Sequence, residues 1–253
     1  MKQDIKRRTA VISGGCGTVG RAVGKALSQQ GFDVVALYLK KSKEEAESAL
    51  HDFSAGDHEA IRCDIRDDEA VRTIIGGIYK RRHSIDAAIH AAVDPILRKG
   101  ILEISGKEFQ DQFGGGVWGG FYFLTECAKV MEVQKGGNII GILSRVVQSE
   151  APHPRMGGYT VAKYALRGLL KELHQDLASS NVTVNAVAPD FMDTDLHKDL
   201  PGAVRKFIAE RGVEGGVRSP EDVAAATAYL CSEEGRMVNG KIFSFRESEI
   251  TIL

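Results

Sequence analysis

The stretch Ser13-Gly14-Gly15-Cys16-Gly17-Thr18-Val19-Gly20 decides the fold, because it joins a short apolar run, Thr9–Ser13, to an amphipathic segment, Val19–Gln30. Glycines at a strand-to-helix turn permit positive φ angles, let the backbone approach a pyrophosphate and bring the helix close to the strand. The free N–H groups and the positive dipole end of the helix then face the phosphates. A flexible turn is the alternative, but this strand and helix context favours nucleotide binding.

The rest of the chain repeats the alternation of apolar, β-branched runs with amphipathic stretches, which is typical of βαβ units. We predict strands at Thr9–Ser13, Asp33–Leu39, Glu59–Cys63, Ile85–Ala91, Asn138–Leu143, Val182–Ala188 and Lys241–Phe245. We predict helices at Val19–Gln30, Lys43–Phe53, Asp67–Arg81, Phe109–Val133, Tyr159–Ser179 and Pro220–Cys231. About seven strands with helical crossovers indicate an α/β, Rossmann-type, doubly wound parallel sheet with helices on both faces.

We expect a single domain over residues 1–253, because no linker or repeat interrupts the pattern. Residues 193–218 are the predicted substrate lid, since Pro201, Gly202 and the glycines from Gly212 to Gly216 break regular structure there. A mixed apolar pocket, or else core, is predicted from residues of the lid and of the segment before Tyr159: Phe191, Met192, Leu196, Phe207, Ala151, Pro152, His153 and Met156.

Composition excludes several classes of protein. The 253 residues carry 33 Lys and Arg against 34 Asp and Glu, a balance that argues against nucleic-acid binding on a basic face. The four cysteines are scattered without a CxxC pair, and the histidines show no ligand spacing, so we expect no disulfide framework and no metal. No segment has the ~18 apolar residues of a membrane span or a signal-peptide core. We therefore expect a soluble, cytoplasmic protein without a membrane partner.

The end of the second strand bears on the choice of dinucleotide. It reads Leu37-Tyr38-Leu39-Lys40-Lys41, and no carboxylate follows until Glu44. NAD-binding folds place an acid here to bond the ribose, whereas NADP needs that acid absent and a cation nearby. Lys40 and Lys41 can meet a 2′-phosphate through charge-assisted hydrogen bonds, which favours NADP(H). The alternative is that both lysines only solvate the start of a helix.

The third strand ends in Cys63-Asp64-Ile65, at the edge where an adenine would lie. Asp64 can accept a hydrogen bond from the adenine amino group while Ile65 covers the ring. Alternatively, Asp64 caps the helix Asp67–Arg81.

Ser144, Tyr159 and Lys163 carry the catalytic signal. Tyr159 and Lys163 are four residues apart and share one helix face. An ammonium beside a phenol lowers the pKa of the phenol toward working pH, as a general acid/base needs. Ser144 ends the fifth strand and can hydrogen-bond a substrate carbonyl. The Y-x-x-x-K pattern is weak alone, and a surface Lys packed over a Tyr is the alternative.

Together these motifs resemble the short-chain dehydrogenase/reductase family over essentially the whole chain, most closely its ketoacyl-reductase-like members. The resemblance also rests on Tyr159-Thr160-Val161-Ala162-Lys163, Val184-Asn185-Ala186-Val187-Ala188-Pro189 with Thr194, Ser219-Pro220-Glu221-Asp222-Val223-Ala224 and Val238-Asn239-Gly240. It implies that Tyr159 transfers the proton, that Lys163 binds the nicotinamide ribose and that Ser144 orients the carbonyl. The implied cofactor-binding set is Gly14, Cys16, Gly17, Thr18, Val19, Gly20, Tyr38, Lys40, Lys41, Asp64, Ile65, His90, Ala91, Tyr159, Lys163, Pro189 and Thr194.

The family resemblance also implies a homo-oligomer, a tetramer or dimer paired through the helices Phe109–Val133 and Tyr159–Ser179. The apolar tail Glu249–Leu253 is a second argument for an oligomer, since exposing it to water would be costly. A neighbouring subunit would cover that tail, or else the tail folds back onto its own sheet.

Several positions depart from the family pattern. Gly14, Gly17 and Gly20 are spaced by three, as in extended members. His90-Ala91-Ala92-Val93 stands where the family has Asn-Asn-Ala-Gly, and Asp190 follows Pro189 in place of Gly. Gly116 aligns with the catalytic Asn, and the run Gly114 to Gly116 predicts a helix break that exposes carbonyls. His90 bonds either the cofactor or that loosened helix, or is simply a satisfied structural side chain.

We therefore predict an NADP-dependent oxidoreductase, a ketone reductase that transfers a hydride between NADP(H) and a small-molecule carbonyl or alcohol substrate. A dinucleotide-binding regulatory or inactive partner subunit is the alternative, because the Asn is missing. An isomerase or dehydratase on the same scaffold is a third, since a fold does not fix a reaction.

Overall fold

The computed structural model describes residues 7–148, 155–192, 194–203, 205–206, 219–245 and 250–253. Within these residues, eight strands form one sheet in the order β3-β2-β1-β4-β5-β6-β7-β8. Neighbouring strands are parallel except for the antiparallel pair β7 and β8. Their bounds are β1 Arg8–Ser13, β2 Phe32–Tyr38, β3 Glu59–Arg62, β4 Ala87–His90, β5 Gly137–Ile142, β6 Val182–Ala188, β7 Lys241–Ser244 and β8 Ile250–Ile252.

Seven α-helices lie within the described residues, and their polar caps explain where several begin. Ser42 opens α2 and Ser219 opens α7 with reciprocal capping boxes, and Asp67 accepts from the Ala70 N–H at the start of α3. The helices are α1 Thr18–Gln29, α2 Lys43–Ser48, α3 Asp68–Arg82, α4 Gly106–Asp111, α5 Gly119–Gln134, α6 Gly157–Asp176 and α7 Pro220–Leu230. Four short 3₁₀ turns cover Ile101–Glu103, Arg145–Val147, Asp195–His197 and Glu234–Met237.

Helices cover both faces of the sheet, which confirms the predicted doubly wound fold. On one face, β1 packs through Ala10 and Ile12 against the α1 and α7 side. On the other, Val11 packs into the cluster that holds residues of α3, α5 and α6. Strand order reverses between β1 and β4, whose carboxyl ends meet at the paired residues Ser13 and His90. Doubly wound sheets bind their ligands in the crevice at such a reversal.

The chain's apolar tail folds back onto its own sheet. Strand β8 pairs with β7 so that Lys241 lies opposite Ile252. The Leu253 N–H donates to the Gly240 carbonyl at 3.1 Å, and the Leu253 side chain is buried. The alternative, a tail that folds back onto its own sheet, is therefore confirmed for residues 250–253, although the Ile252 side chain remains 70% exposed.

Two predicted segments differ from the structure. The predicted helix Phe109–Val133 is divided into α4, a π-helical turn over Gly114–Trp118, and α5, as the glycine run had suggested. The predicted helix Lys43–Phe53 ends early as α2, and Phe53 instead packs against α1 at Gly24. Much of the predicted lid, including Phe207 and the glycines after residue 211, lies outside the described residues, as do Ala151, Pro152 and His153.

Candidate active site

The glycine-rich turn between β1 and α1 leaves no room for side chains at three positions, Gly14, Gly15 and Gly20. Gly14 has a φ of +68°, and a Cβ there would lie 2.9 Å from the Ala92 backbone. A Cβ on Gly20 would lie 2.2 Å from the Gly14 carbonyl oxygen, so α1 starts in direct contact with the turn. Gly17 caps α1 without any side-chain hydrogen bond. The N–H groups of the first helical turn, which includes Thr18 and Val19, are thus without a side-chain acceptor, as a phosphate site requires.

Cys16 takes a structural position inside this turn. Its side chain is buried, and its Sγ donates to the Ala46 carbonyl at 3.8 Å. Burial raises the pKa of the thiol, and the charge of Lys41 opposes this rise. Lys41 therefore lies near the turn, while Tyr38 ends β2 and Lys40 is exposed beyond it.

Lys40 lines an open cleft of about 540 Å³ at the carboxyl edge of the sheet, together with Arg66, Asp94, Gly114 and Trp118. Asp64 accepts from Arg66 Nε at 2.8 Å and from Arg66 Nη2 at 2.7 Å, which lowers the pKa of Asp64. Because Asp67 caps α3, the capping role considered for Asp64 was wrong. Sequence reasoning missed Arg66, although a cation two residues after Asp64 was a readable signal.

Ile65 closes the inner side of this region. Its side chain is buried, and a Cβ on Gly119 would lie 2.6 Å from Ile65 Cδ1. The start of α5 therefore packs directly on the residue predicted to cover an adenine.

His90 is fully buried at the switch point between β4 and β1. Its Nδ1 lies 2.7 Å from Ser13 Oγ and its Nε2 lies 3.1 Å from the Gly116 carbonyl oxygen. A carbonyl only accepts, so Nε2 carries the proton and Ser13 donates to Nδ1. Burial lowers the pKa of His90 to about 4, which keeps the ring neutral at pH 7. The His90 ring thus bonds the loosened helix. The next residue, Ala91, donates its backbone N–H to the Ser13 carbonyl.

Asp94 holds the other side of the π-helical turn. Its carboxylate accepts from the Gly115 N–H at 2.8 Å and from the Gly116 N–H at 3.0 Å. Gly116 is therefore fixed at its N–H by Asp94 and at its carbonyl by His90. Sequence analysis missed Asp94, because the residues that it bonds lie about 20 positions further along the chain.

The structure brings Ser144, Tyr159 and Lys163 together at the carboxyl end of β5. Ser144 opens the 3₁₀ turn after β5, and its side chain faces the Tyr159 hydroxyl and opposes the rise in the pKa of that phenol. Tyr159 and Lys163 are both buried on the inner face of α6. Lys163 Nζ donates to the Ile142 carbonyl at 2.7 Å and lies 5.8 Å from the centre of the Tyr159 ring.

The electrostatics of the pair differ from the expectation. Burial raises the pKa of Tyr159, and the hydrogen bond with Ser144 opposes that rise. The predicted lowering by Lys163 was wrong for this structure, since its ammonium points to Ile142. Burial also lowers the pKa of Lys163 to about 8, against the charge of Asp94, which raises it. Tyr159 is consequently a phenol, and Lys163 titrates near working pH.

The segment after β6 lies beside Ser144. The Pro189 carbonyl accepts from the Arg145 N–H at 2.9 Å, and Arg145 Nη1 lies 3.0 Å from Asp190 Oδ2. Thr194 opens the next 3₁₀ turn, and its backbone N–H donates to the Met192 carbonyl. The predicted nicotinamide end of the site is therefore tied to the turn that carries Ser144. Sequence analysis missed Arg145 as the partner of Asp190.

Two negative observations concern only the residues that the structure describes. Those residues contain no group of three or more His, Cys, Asp or Glu side chains that could hold a metal ion. They also contain no helix long and apolar enough to cross a membrane. The four cysteines are buried free thiols.

Comparisons with known proteins agree with this geometry. Residues 16–245 match the family model described as enoyl-(acyl carrier protein) reductase. The chain is 26% identical over 237 residues to 3-oxoacyl-[acyl-carrier-protein] reductase FabG of Staphylococcus aureus, covering 92% of this chain and 94% of the relative. It is 26% identical over 250 residues to L-2,3-butanediol dehydrogenase of Corynebacterium glutamicum, covering 93% and 95%. A dehydrogenase/reductase structure from Sinorhizobium meliloti superposes with a TM-score of 0.85 at 27% identity, covering 94% of this chain and 92% of that one.

Proposed function

The chain belongs to the short-chain dehydrogenase/reductase family of oxidoreductases, and on that premise we propose that it reduces the carbonyl group of a small ketone or aldehyde with NADPH. The observation that carries the proposal is the grouping of Ser144, Tyr159 and Lys163 at the carboxyl end of β5. This grouping lies on the sheet edge that also holds the glycine-rich turn, where doubly wound folds bind dinucleotides.

The residues of the turn fit a dinucleotide. A side chain at Gly14 or Gly20 would collide with backbone, and the uncapped first turn of α1 offers N–H groups to a pyrophosphate. In this proposal Asp64 and Ile65 border the adenine, Lys40 and Lys41 meet a 2′-phosphate, and Pro189 and Thr194 hold the carboxamide. NADPH, when bound, supplies the hydride. Both ring nitrogens of His90 already bond groups inside the protein. We therefore propose that His90 and Ala91 contact the cofactor through their backbone only.

The proton comes from the protein. Ser144 orients the carbonyl oxygen, and Tyr159 donates its hydroxyl proton to that oxygen as negative charge develops. Because burial raises the pKa of Tyr159, the hydroxyl is protonated at neutral pH and ready to donate. The reaction adds one hydride to carbon and one proton to oxygen, which leaves a phenolate. The phenolate then regains a proton that comes from solvent, and Lys163, whose pKa is about 8, is the proposed relay for that proton.

The test of the reaction is NADPH consumption with a panel of carbonyl compounds, including a 3-oxoacyl thioester, a vicinal diketone and a 3-ketosteroid. The first two follow from the substrates that the relatives' names state, and the third from the name of a 3beta-hydroxysteroid dehydrogenase that is 24% identical. Tyr159→Phe should lower turnover by about 10²–10⁴-fold and leave cofactor affinity unchanged. Tyr164→Phe, an exposed tyrosine on the same helix, is the matched control. A near-native rate for Tyr159→Phe would place the proton donor elsewhere.

Cofactor preference has its own test. Lys40 and Lys41 are exposed cations after β2, with no acid before Glu44, so NADPH should bind more tightly than NADH. Calorimetric titration of both cofactors should show that replacing both lysines with Ala weakens NADPH binding about tenfold or more and spares NADH. Lys43→Ala, an exposed lysine in α2, is the control. Equal affinities for the two cofactors in the unmodified protein would refute the assignment.

One observation favours a second candidate function, that of a dinucleotide-binding regulator. Gly116 provides no side chain, and its carbonyl is already bonded to His90. The helix break was expected to expose free carbonyls, but the Gly116 carbonyl is not one of them. Saturable NADPH binding without consumption of any carbonyl compound would support this candidate over the reductase.

We also propose a dimer or tetramer that pairs through α5 and α6. Four large apolar side chains on or beside these helices, Trp118, Phe121, Val161 and Tyr164, are between 41% and 55% exposed. Large exposed apolar side chains that share one surface are typical of protein interfaces. Light scattering at micromolar concentration should report an oligomer, and Tyr164→Asp should shift it toward the monomer. A monomeric unmodified protein would contradict the proposal.

A further inference from the structure

Arg167 is a charged residue of α6 that the proposed chemistry does not yet use. It lies eight residues after Tyr159 and four after Lys163, so the three side chains follow one stripe of the helix. Its guanidinium donates from Nη1 to the Val147 carbonyl at 2.9 Å and from Nη2 to the Ile252 carbonyl at 3.1 Å. One side chain of the helix that carries Tyr159 therefore joins the turn after β5 to the C-terminal strand β8.

The turn that Arg167 holds begins at Ser144. Ser144 opens the 3₁₀ turn Arg145–Val147, and the Val147 N–H donates back to the Ser144 carbonyl at 3.1 Å. A 3₁₀ turn of three residues is weak on its own, and the carbonyls at its end have no partner within the turn. Arg167 supplies that partner at Val147, and a cation at this end also offsets the negative end of the peptide dipoles. Arg167 is thus two hydrogen bonds away from the backbone of Ser144.

Helix α6 holds the backbone on both sides of Ser144. Before it, Lys163 Nζ donates to the Ile142 carbonyl at 2.7 Å, and after it Arg167 donates to the Val147 carbonyl. The N–H groups of the two residues that flank Ser144 donate to carbonyls at the end of β6 and just after it, at 2.8 and 2.9 Å. These four bonds fix the backbone from which the Ser144 hydroxyl projects.

Strand β8 reaches the same turn through a second side chain. Gln148, the residue after the turn, donates from Nε2 to Thr251 Oγ1 at 2.7 Å, across 103 positions of sequence. Together with the bond from Arg167 to the Ile252 carbonyl, this bond ties β8 to the turn. The end of the chain therefore contacts the residues that hold Ser144 in place.

We propose that Arg167 is a positioning residue for Ser144, and that strand β8 helps to hold the active site through Arg167 and Gln148. The proposal rests on the role given to Ser144 above, which is to orient the carbonyl oxygen of the substrate. A hydroxyl with that role must be held closely, because a misplacement of about 1 Å can cost about 10²-fold in rate. Arg167 supplies the restraint through the backbone of the turn.

A double-mutant cycle between Arg167→Ala and Ser144→Ala tests whether Arg167 acts through Ser144. Steady-state NADPH consumption should show that Arg167→Ala lowers kcat by about 10- to 100-fold, while the Kd for NADPH remains unchanged. Once the Ser144 hydroxyl has been removed, Arg167→Ala should lower kcat by less than about twofold further, because the group that it positions is gone. Effects that multiply in the double variant would overturn the proposal, since Arg167 would then act independently of Ser144.

Three single variants accompany the cycle. Lys171→Ala removes an exposed cation one turn further along α6 and is the matched control, which should leave kcat unchanged. Arg167→Lys keeps one cation that can reach the Val147 carbonyl, so its kcat should lie between those of Arg167→Ala and the unmodified protein. Thr251→Val removes the acceptor of Gln148 at nearly constant shape and should lower kcat by about two- to tenfold. An unchanged kcat for Thr251→Val would overturn the part of the proposal that concerns β8.

Amide hydrogen exchange followed by NMR gives a readout that needs no turnover. Because the Val147 N–H is bonded to the Ser144 carbonyl, it should exchange about tenfold faster in Arg167→Ala and at the native rate in Lys171→Ala. Should Arg167→Ala fail to fold, Arg167→Met carries both tests, because it keeps most of the aliphatic stem. Unchanged exchange in the folded variant would overturn the proposal.

The two proposals therefore fail separately. A protein that binds NADPH and reduces nothing, yet shows the faster Val147 exchange in Arg167→Ala, retains the Arg167 inference and loses the reductase. A protein that reduces carbonyls at the same rate with and without the Arg167 guanidinium retains the reductase and loses the Arg167 inference.

Discussion

Acid should destabilise this protein through one buried histidine. His90 is fully buried and neutral, with its ring bonded to Ser13 and Gly116. Burial lowers its pKa from 6.5 to about 4 in the folded state. Between these values the unfolded chain binds the proton and the folded protein does not, so stability falls as pH falls. At about 1.4 kcal/mol per pH unit, the loss on reaching pH 4 is about 3 kcal/mol.

Urea unfolding at fixed protein concentration, repeated from pH 7 to pH 4, measures this loss. The His90→Asn variant lacks the titrating ring. Between pH 7 and pH 4, the free energy of unfolding of this variant should therefore fall by about 3 kcal/mol less than that of the unmodified protein. His51→Asn, an exposed histidine after α2, should follow the unmodified protein. Carboxylates titrate in all three proteins alike, and the comparison cancels them. Parallel pH curves for the unmodified protein and His90→Asn would refute the claim that burial holds this ring neutral.

Three further predictions concern glycines. Gly20→Ala places a methyl group 2.2 Å from the Gly14 oxygen, so it should cost about 1–3 kcal/mol and abolish tight cofactor binding. Gly76→Ala in α3, where a Cβ meets nothing within 4 Å, should stabilise by up to about 1 kcal/mol. Thermal melts and cofactor titrations of the two variants check both, and similar behaviour would contradict the close approach at Gly20. A Cβ on Gly116 would have only Asp94 Oδ2 near it, at 3.7 Å. The Gly116→Asn variant should therefore show unchanged or higher turnover, with little change in melting temperature. A large loss of rate at unchanged stability would mean that the space itself is needed.

The sheet was predicted well from the sequence, because its strands are short, buried apolar runs that are too short to be predicted as helices. Strand β6, Val182–Ala188, has the predicted bounds, and the other six predicted strands agree within one or two residues. Strand β8 was not predicted as a strand. Its three residues pair only with β7, so their conformation depends on a register that local sequence does not encode.

The site divides in the same way between local and distant effects. The four-residue spacing of Tyr159 and Lys163 did place both on the inner face of α6. The direction of the Lys163 ammonium did not follow from spacing, because it is set by the Ile142 carbonyl on β5. The roles of His90 and Asp94 likewise depend on a turn more than 20 residues away. Sequence reasoning found the glycine run and its break, but not the side chains that hold it.

The most direct test of the account follows the hydride itself. NADPH carrying deuterium at the transferable position of its nicotinamide ring is incubated with the protein and the carbonyl panel, and the alcohol products are analysed by mass spectrometry. The account predicts an alcohol that contains one deuterium on the former carbonyl carbon, formed by the unmodified protein and about 10²–10⁴-fold more slowly by Tyr159→Phe. Tight binding of NADPH with no deuterated alcohol from any carbonyl compound would contradict it.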